Sequence, residues 1–315
     1  MDTTSISLLP PPVSTFAQDV DPLFNFLVYA SLFFFILITT GVILFAIKYR
    51  RKKGAEEPGK GPSHNTYLEL TWMIIPTILV LIVFFWGFKG FMKMSIVPKD
   101  AMEIKVTAQK WFWSFDYPEG AAAVNELVVP VDKSVKLLMS SKDVIHSFFV
   151  PAFRVKRDVL PNRYTIAWFK AVKEGEYQLF CAEYCGTKHS EMLGKVRVVS
   201  DREYKEWLEK SSASGEGMTP SDYGAKLFVS KACITCHSVD GKPGNGPSLL
   251  GIFGEETKFT TGPPMVVDEN YIRESILEPR AKIVIGYQPI MPTYQGILKD
   301  KDLDALIAYL KSLSE

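Results

Sequence analysis

The sequence predicts a membrane hairpin of two α-helices, then an all-β sandwich, then a small all-α domain. Three observations carry this. Two long apolar runs, 23–47 and 71–88, fall within the first hundred of 315 residues. Between about 100 and 200, apolar and polar residues alternate with period two, the pattern of half-buried strands. Beyond about 221 the apolar spacing becomes helical. The expected division is 1–95 for an N-terminal segment and the hairpin, 96–200 for the sandwich, 201–220 for a linker and 221–315 for the helical domain.

The first run carries no ionisable group except Tyr29, and at about 1.5 Å per residue it is long enough to cross a hydrocarbon core of about 30 Å. The second is interrupted only by Pro76, which a membrane helix tolerates. No Lys or Arg precedes Lys48, whereas the loop between the runs holds Lys48, Arg50, Arg51, Lys52, Lys53 and Lys60. The positive-inside rule puts that loop in the cytoplasm, and with it His64. Both termini, and everything after about residue 95, are then outside. The loop charge is read first as topology, with anionic lipid a second partner. The stretch from Ser5 to Pro12 is Pro-rich and lacks a basic start, so no signal peptide is read there, and a cleavage before Asp19 is not legible.

The sandwich is expected from three period-two sets: Ile104, Val106 and Ala108; Val135, Leu137 and Met139; Val196 and Val198. Turn signals separate them at Tyr117-Pro118-Glu119-Gly120, Val131-Asp132-Lys133-Ser134 and Lys173-Glu174-Gly175-Glu176. Short strands at this spacing predict an antiparallel sandwich. The aromatic strand Trp111-Phe112-Trp113-Ser114-Phe115 is read chiefly as packing.

The formal net charge is +1, with 36 basic and 35 acidic residues, so the clustered basic surplus of nucleic-acid binders is missing and no such partner is expected. The four cysteines form two tight pairs, Cys181/Cys185 and Cys233/Cys236, each followed by a histidine, His189 and His237. A disulfide scaffold would spread them more widely.

In the first pair, Cys181, Cys185, His189 and Met192 share one loop between strands expected at 177–180 and 195–199. Gly186 lets the backbone reverse between ligands. Soft thiolate and thioether ligands favour copper or thiol-loving zinc. Structural zinc has no use for methionine, so Met192 tilts the choice to copper. A second imidazole is needed, and His146 is the only candidate in the domain.

A short helix is expected at 201–210 with Trp207 on its apolar face, then a Gly/Ser-rich flexible tether, Ser211 to Gly217, within 211–222. In the last domain, Ala225, Phe228 and Val229 mark one helical face and Leu303, Leu306, Ile307 and Leu310 another. Between them stands Cys233-Ile234-Thr235-Cys236-His237, the C-x-x-C-H signature of covalent haem c, with His237 as axial ligand. A thioredoxin-like reading would need strand flanks, and helical flanks are expected here. A methionine is expected as sixth ligand. The candidates are Met265 and Met291, the latter stiffened by Pro289 and Pro292.

The stretches "DVIHSFFVPAFRVKRD" and "CAEYCGTKHSEM" resemble the dinuclear copper A motif of subunit II of the haem-copper cytochrome oxidases. The resemblance implies a cupredoxin-like Greek-key sandwich. It implies that Cys181 and Cys185 bridge two coppers, and that His146 and His189 bind one each. Met192 is implied as a weak ligand of one copper, and the Glu183 carbonyl as a ligand of the other. The Glu183 carboxylate is expected to reach a magnesium ion at the boundary with subunit I. Trp111 is the implied point where electrons enter, although Phe112 and Phe115 stand where the family usually has tyrosines. Asn162 replaces a common glycine. Leu68-Glu69-Leu70-Thr71-Trp72 resembles the start of the family's second helix, which implies that Glu69 lies at the mouth of a proton pathway. The last segment resembles a class I cytochrome c, which implies Met291 as the sixth ligand and a Pro247 carbonyl bonded to His237.

A subunit II with a fused cytochrome c is the arrangement of the caa-type oxidases. It implies a path from an external donor through haem c and copper A to haem a in subunit I, coupled there to proton pumping. Subunit I, other oxidase subunits, the donor and lipid are the expected partners. Oxygen is not expected to be reduced on this chain, because His64 is the only histidine left over. The alternatives are a membrane-tethered copper/haem carrier for another reductase and a structural zinc protein with a haem sensor.

Overall fold

The computed structural model describes residues 8–51, 64–212 and 218–314. Lys52, Lys53 and Lys60 of the basic loop, 213–217 of the expected tether and 5–7 of the Pro-rich start lie outside the described residues.

Helices α1 (Ala17–Lys48) and α2 (Thr66–Ser95) contain the two apolar runs and extend past them at both ends. The Asn65 side chain caps α2 by accepting from Leu68 N at 3.2 Å. Large apolar side chains such as Phe33, Leu37, Phe45, Ile75 and Phe85 are exposed, and no residue of either helix's most apolar stretch is buried. A helix of a soluble domain buries one face, whereas these are apolar all round, as lipid requires. The hydroxyls of Thr71 and Thr77 donate back to Tyr67 O at 2.8 Å and Met73 O at 2.6 Å, so they need no water.

Ten strands follow: β1 (Met102–Gln109), β2 (Phe112–Asp116), β3 (Ala122–Val124), β4 (Glu126–Pro130), β5 (Ser134–Ser141), β6 (His146–Val150), β7 (Val155–Val159), β8 (Thr165–Lys170), β9 (Gly175–Cys181) and β10 (Leu193–Val199). They form two sheets, β3-β2-β1-β5-β8 and β4-β10-β9-β6-β7, which pack as a cupredoxin-like sandwich. The expectation of a purely antiparallel sandwich is corrected here: β1 pairs with β5, and β4 with β10, in parallel. Each parallel pair joins strands separated in sequence by strands of both sheets, and that detour supplies the crossover parallel pairing needs. The three period-two sets point inward, each member at most 2% exposed. Burying one such side chain stabilises the fold by about 1.5–3 kcal/mol. Tyr117 ties the β2–β3 turn to β4: its hydroxyl accepts from Val128 N at 2.8 Å and donates to Val128 O at 2.9 Å.

The segment before α1 belongs to this sandwich. Val13 N donates to Ala152 O, Thr15 N to Lys170 O and the Ser14 hydroxyl to Phe153 O. Phe16 meets Trp168 edge-on at 4.7 Å. Arg154 grips Asp21 with two bonds of 2.7 and 2.8 Å, and Lys93 near the end of α2 pairs with Asp19. The start of α1 and the end of α2 therefore meet the same domain, and the helices run away from it and back.

Helix α3 (Asp201–Ser212) lays Tyr204 and Trp207 on the sandwich, with Trp207 4.8 Å from the Tyr117 ring. In the last domain α4 (Pro220–Ser230) begins at Thr219, whose hydroxyl accepts from Asp222 N, with Pro220 in its first turn. It crosses α6 (Asp300–Ser312) so closely that a Cβ on Gly224 would lie 2.0 Å from Ala305 O. The buried face of α4 is Gly224, Leu227 and Phe228; Val229, expected inside, is 50% exposed because the three-and-four spacing runs from Gly224. Leu303, Leu306, Ile307 and Leu310 are all buried. Helix α5 (Glu269–Leu277) and a small ladder of β11 (Glu256–Thr257) with β12 (Met265–Val266) complete the domain. The flank after Cys236 is loop rather than the expected helix.

Candidate metal centre and cofactor cleft

The metal centre is assembled by sheet register. Strand β6 starts at His146, and β9 ends at Cys181. Their antiparallel pairing sets Phe148 opposite Cys181, and Ala182 N donates to Ser147 O, which brings imidazole and thiol together. The loop from Ala182 then returns to β10 and folds Cys185, His189 and Met192 back onto Cys181.

The Cys181 and Cys185 sulfurs are 3.8 Å apart. A disulfide needs about 2.05 Å, so these are two separate thiols facing one space. His146 Nδ1 lies 3.9 Å from Cys181 Sγ, and His189 Nδ1 3.5 Å from Cys185 Sγ. Met192 Sδ is 3.7 Å from Cys185 Sγ, and Glu183 O is 3.3 Å from Cys181 Sγ. Donor atoms of His146, Cys181 and Cys185 fall within 4.8 Å of one another. Each of the two sulfurs thus has one imidazole nitrogen beside it. The donor set fits copper and not structural zinc, because a buried thioether points into it.

Burial raises both thiols. At Cys181 the bonds from His146 and from the peptide groups at Glu183 and Ser147 outweigh it, and the thiol comes down. At Cys185 burial and the charge of Cys181 act together, and the thiol goes up. A metal ion held by these thiols would reverse that second effect, since a coordinating thiol is deprotonated.

Asp143, to which the sequence alone assigns no role, orients His146. Its Oδ1 lies 2.8 Å from His146 Nε2, and its Oδ2 accepts from Lys110 N at 2.8 Å. Burial raises its carboxyl, but the bonds from His146, Lys110 and Val144 hold it below the usual range. The Nε2–H of His146 is thereby assigned to Asp143, leaving Nδ1 for a metal. The legible signal was the three-residue spacing to the histidine.

Trp111 lies against the same loop. Gly186 has φ +121°, and a Cβ there would sit 3.3 Å from the Trp111 ring. The indole Nε1 is buried and makes no hydrogen bond. Glu183 is exposed beside this centre. Glu69 is remote from it: in the first turn of α2, exposed, its carboxylate accepts from Asn65 N at 3.4 Å.

The second site is a cleft in the last domain, lined by Cys233, Cys236, His237, Pro247, Met291 and Tyr294 among mainly apolar neighbours. His237 Nδ1 donates to Pro247 O at 2.9 Å, which leaves Nε2 for a ligand. Burial holds the imidazole below its ordinary pKa, hence neutral, as ligation requires. Gly246 packs flat on that ring, since a Cβ there would lie 2.5 Å from it. Met291 lines the cleft, whereas Met265 sits in β12 outside it. Two thiols and an imidazole on one wall and a thioether in the lining fit a haem attached through C-x-x-C-H. Tyr294, missed in the sequence, fastens the Met291 loop: its hydroxyl donates to Lys231 O at 2.6 Å and its N–H to Ile276 O at 3.1 Å.

Comparison with known proteins gives three family matches in chain order. Residues 4–89 match "Cytochrome C oxidase subunit II, transmembrane domain", 121–199 match "Cytochrome C oxidase subunit II, periplasmic domain", and 221–314 match "Cytochrome c". Cytochrome c oxidase subunit 2 of Alkalihalophilus pseudofirmus is 34% identical over 88% of this chain and 84% of its own length. That of Thermostichus vulcanus is 29% identical over 65% of this chain and 79% of its own. The solved periplasmic domain of subunit II from Bradyrhizobium japonicum is 38% identical over 37% of this chain and 96% of that one, with a TM-score of 0.36. The matched domains imply copper in the sandwich and haem in the helical domain. With one relative this similar along most of both chains, the chain belongs to the cytochrome c oxidase subunit II family, in the form that carries a cytochrome c domain at its C-terminal end.

Proposed function

We propose that this chain is the electron-accepting subunit of a proton-pumping terminal oxidase. It would hold a dinuclear copper A centre and a covalent haem c outside the membrane and pass electrons from the second to the first, then to haem a of subunit I. The observation that carries the reading is the pair of sulfurs 3.8 Å apart with an imidazole nitrogen beside each.

When loaded, the two metals share one unpaired electron and the iron porphyrin carries one electron at a time. The chain's own residues do the rest. Cys181 and Cys185 would bridge the metals, His146 and His189 would hold one each, Met192 would bind one weakly, and the Glu183 carbonyl would serve the other. Asp143 fixes the ring of His146, so little geometry has to change with oxidation state. Cys233 and Cys236 would anchor the porphyrin, and His237 and Met291 would supply its axial ligands. Pro247 fixes the tautomer of His237. A methionine opposite the histidine favours a higher potential than two histidines would.

Trp111 is the point of electron delivery to the copper loop. It is supported by its contact with Gly186 next to Cys185 and by the bond from Lys110 N to Asp143. Glu183 is proposed to reach magnesium at the subunit I boundary, and Glu69 to stand at a proton-pathway mouth on the cytoplasmic side. The domain limits of 95, 200 and 220 follow this division of labour. The basic loop, Lys48 to Lys60, supports an orientation with both redox domains outside the plasma membrane. Subunit I, other oxidase subunits, lipid and an external donor are the partners.

The test is visible and paramagnetic spectroscopy of the purified chain and of Cys185→Ser. A mixed-valence copper signal beside a haem c band is expected, with the substitution removing the first and sparing the second. A copper signal that survives the loss of Cys185 contradicts the bridging role.

A further inference from the structure

Phe112 is buried in a place the sandwich does not explain. Strand β2 alternates, and Trp113 and Phe115 point into the core with no exposure, so Phe112 points out. Yet Phe112 is only 6% exposed. The sandwich core cluster contains Trp113 and Phe115 but not Phe112. Instead, Phe112 lines the cleft of Cys233, His237 and Met291, and among the described residues it is the one side chain of the sandwich that does so. The cover therefore comes from the C-terminal domain. Helix α4 packs against β3, and Lys226 Nζ on α4 donates to Lys210 O on α3 at 3.0 Å. One residue before Phe112, Trp111 rests on Gly186 of the copper loop. Two consecutive aromatic residues thus join the cleft to the loop that holds Cys185.

We propose that Phe112 is the plug on which the C-terminal domain seats its cofactor cleft against the sandwich of the same chain, making Phe112–Trp111 the internal electron contact. The proposal rests on the haem and copper reading above. A ring without a hydroxyl suits this position: the cleft wall includes Ile252, Val284 and Pro289, and a buried phenol there would need a partner. One aromatic anchor can carry much of a small interface. A domain on a short tether also needs little intrinsic affinity to stay docked. The step moves one electron: the iron in the cleft is oxidised, the copper pair is reduced, and no bond forms or breaks.

The test uses the assembled oxidase with Phe112→Ala and Phe112→Trp. One measurement is the rate of transfer from haem c to copper after photoreduction. The other is the rate at which ferricyanide oxidises haem c directly, which reports how well the cleft is covered. Loss of the anchor is expected to slow internal transfer about tenfold and to speed ferricyanide oxidation, while Phe112→Trp stays near wild type in both. Should Phe112→Ala not assemble, Phe112→Leu keeps an apolar plug without a ring and is expected to shift both rates in the same direction. Wild-type values for both rates in either truncated variant overturn the proposal. Failure of the underlying reading looks different: the unmutated protein then lacks the haem band or the copper signal.

Discussion

At the scale of single residues, Asp143 has the most to reveal. It touches no metal position itself, but its carboxylate holds His146 and the Lys110 amide at 2.8 Å each. Asp143→Asn keeps the shape and loses the charge. Copper affinity is expected to fall about 10–100-fold, the usual cost of removing a partner that orients a ligand. Copper titration of the apo protein checks it, and unchanged affinity would show that the carboxylate is structural only. Tyr294→Phe is expected to free the Met291 loop from Lys231 O. A buried group left unpaired costs about 1–3 kcal/mol, and the readout is weakening of the methionine-to-iron absorption with a lower haem potential. The grouping of Cys181, Cys185, His189 and Met192 was legible in the sequence because their spacing within one loop is local, whereas His146 joins them only through the pairing of β6 with β9. Asp143 was legible only as a residue three places before His146, and its bond from the Lys110 amide was not; Tyr294 was not legible, since its role depends on what the loop closure brings opposite it.

At the scale of elements, the membrane helices and the inward faces of the strands were legible because lipid and core impose simple periods. The core faces of α3 and α6 were read correctly for the same reason. The errors were also physical. Val229 was placed inside because apolar character was counted without the helix crossing that only Gly224 permits. The sheets were expected to be antiparallel because short strands with turn signals suggest hairpins, and sequence spacing carries no record of which strand lies beside which. Gly224→Ala should overpack the α4–α6 crossing and destabilise the C-terminal domain by about 1–3 kcal/mol or more. Thermal or denaturant unfolding followed at the haem band measures it, and an unchanged midpoint would mean that the crossing is looser than described. Arg154→Ala should release the segment from Val13 to Phe16, since Arg154 holds both Asp21 and Pro10 O. Faster amide exchange at Val13 and Thr15 is the expected signature, and exchange as slow as in the wild type would assign the hold to Phe16 and Ser14 instead.

At the scale of the whole molecule, three parts divide the work. The hairpin is tied to the sandwich where Arg154 grips Asp21 of α1, and Lys93 of α2 pairs with Asp19 beside it. The sandwich frames the metal site, and the helical domain carries the cofactor cleft. The order of these parts was readable along the chain. The proposed seating of one domain on another was not, because it depends on Phe112, an outward-facing residue of β2 that shares its cleft with residues more than a hundred positions away. The central proposal is that two sulfurs and two imidazoles enclose a pair of coppers in a chain that also carries a covalent haem. Metal analysis of the purified full chain, combined with paramagnetic resonance, tests that claim most directly. Two coppers and one haem per chain are expected, with one unpaired electron spread evenly over two copper nuclei. A single copper with a localised electron, or zinc in its place, contradicts it.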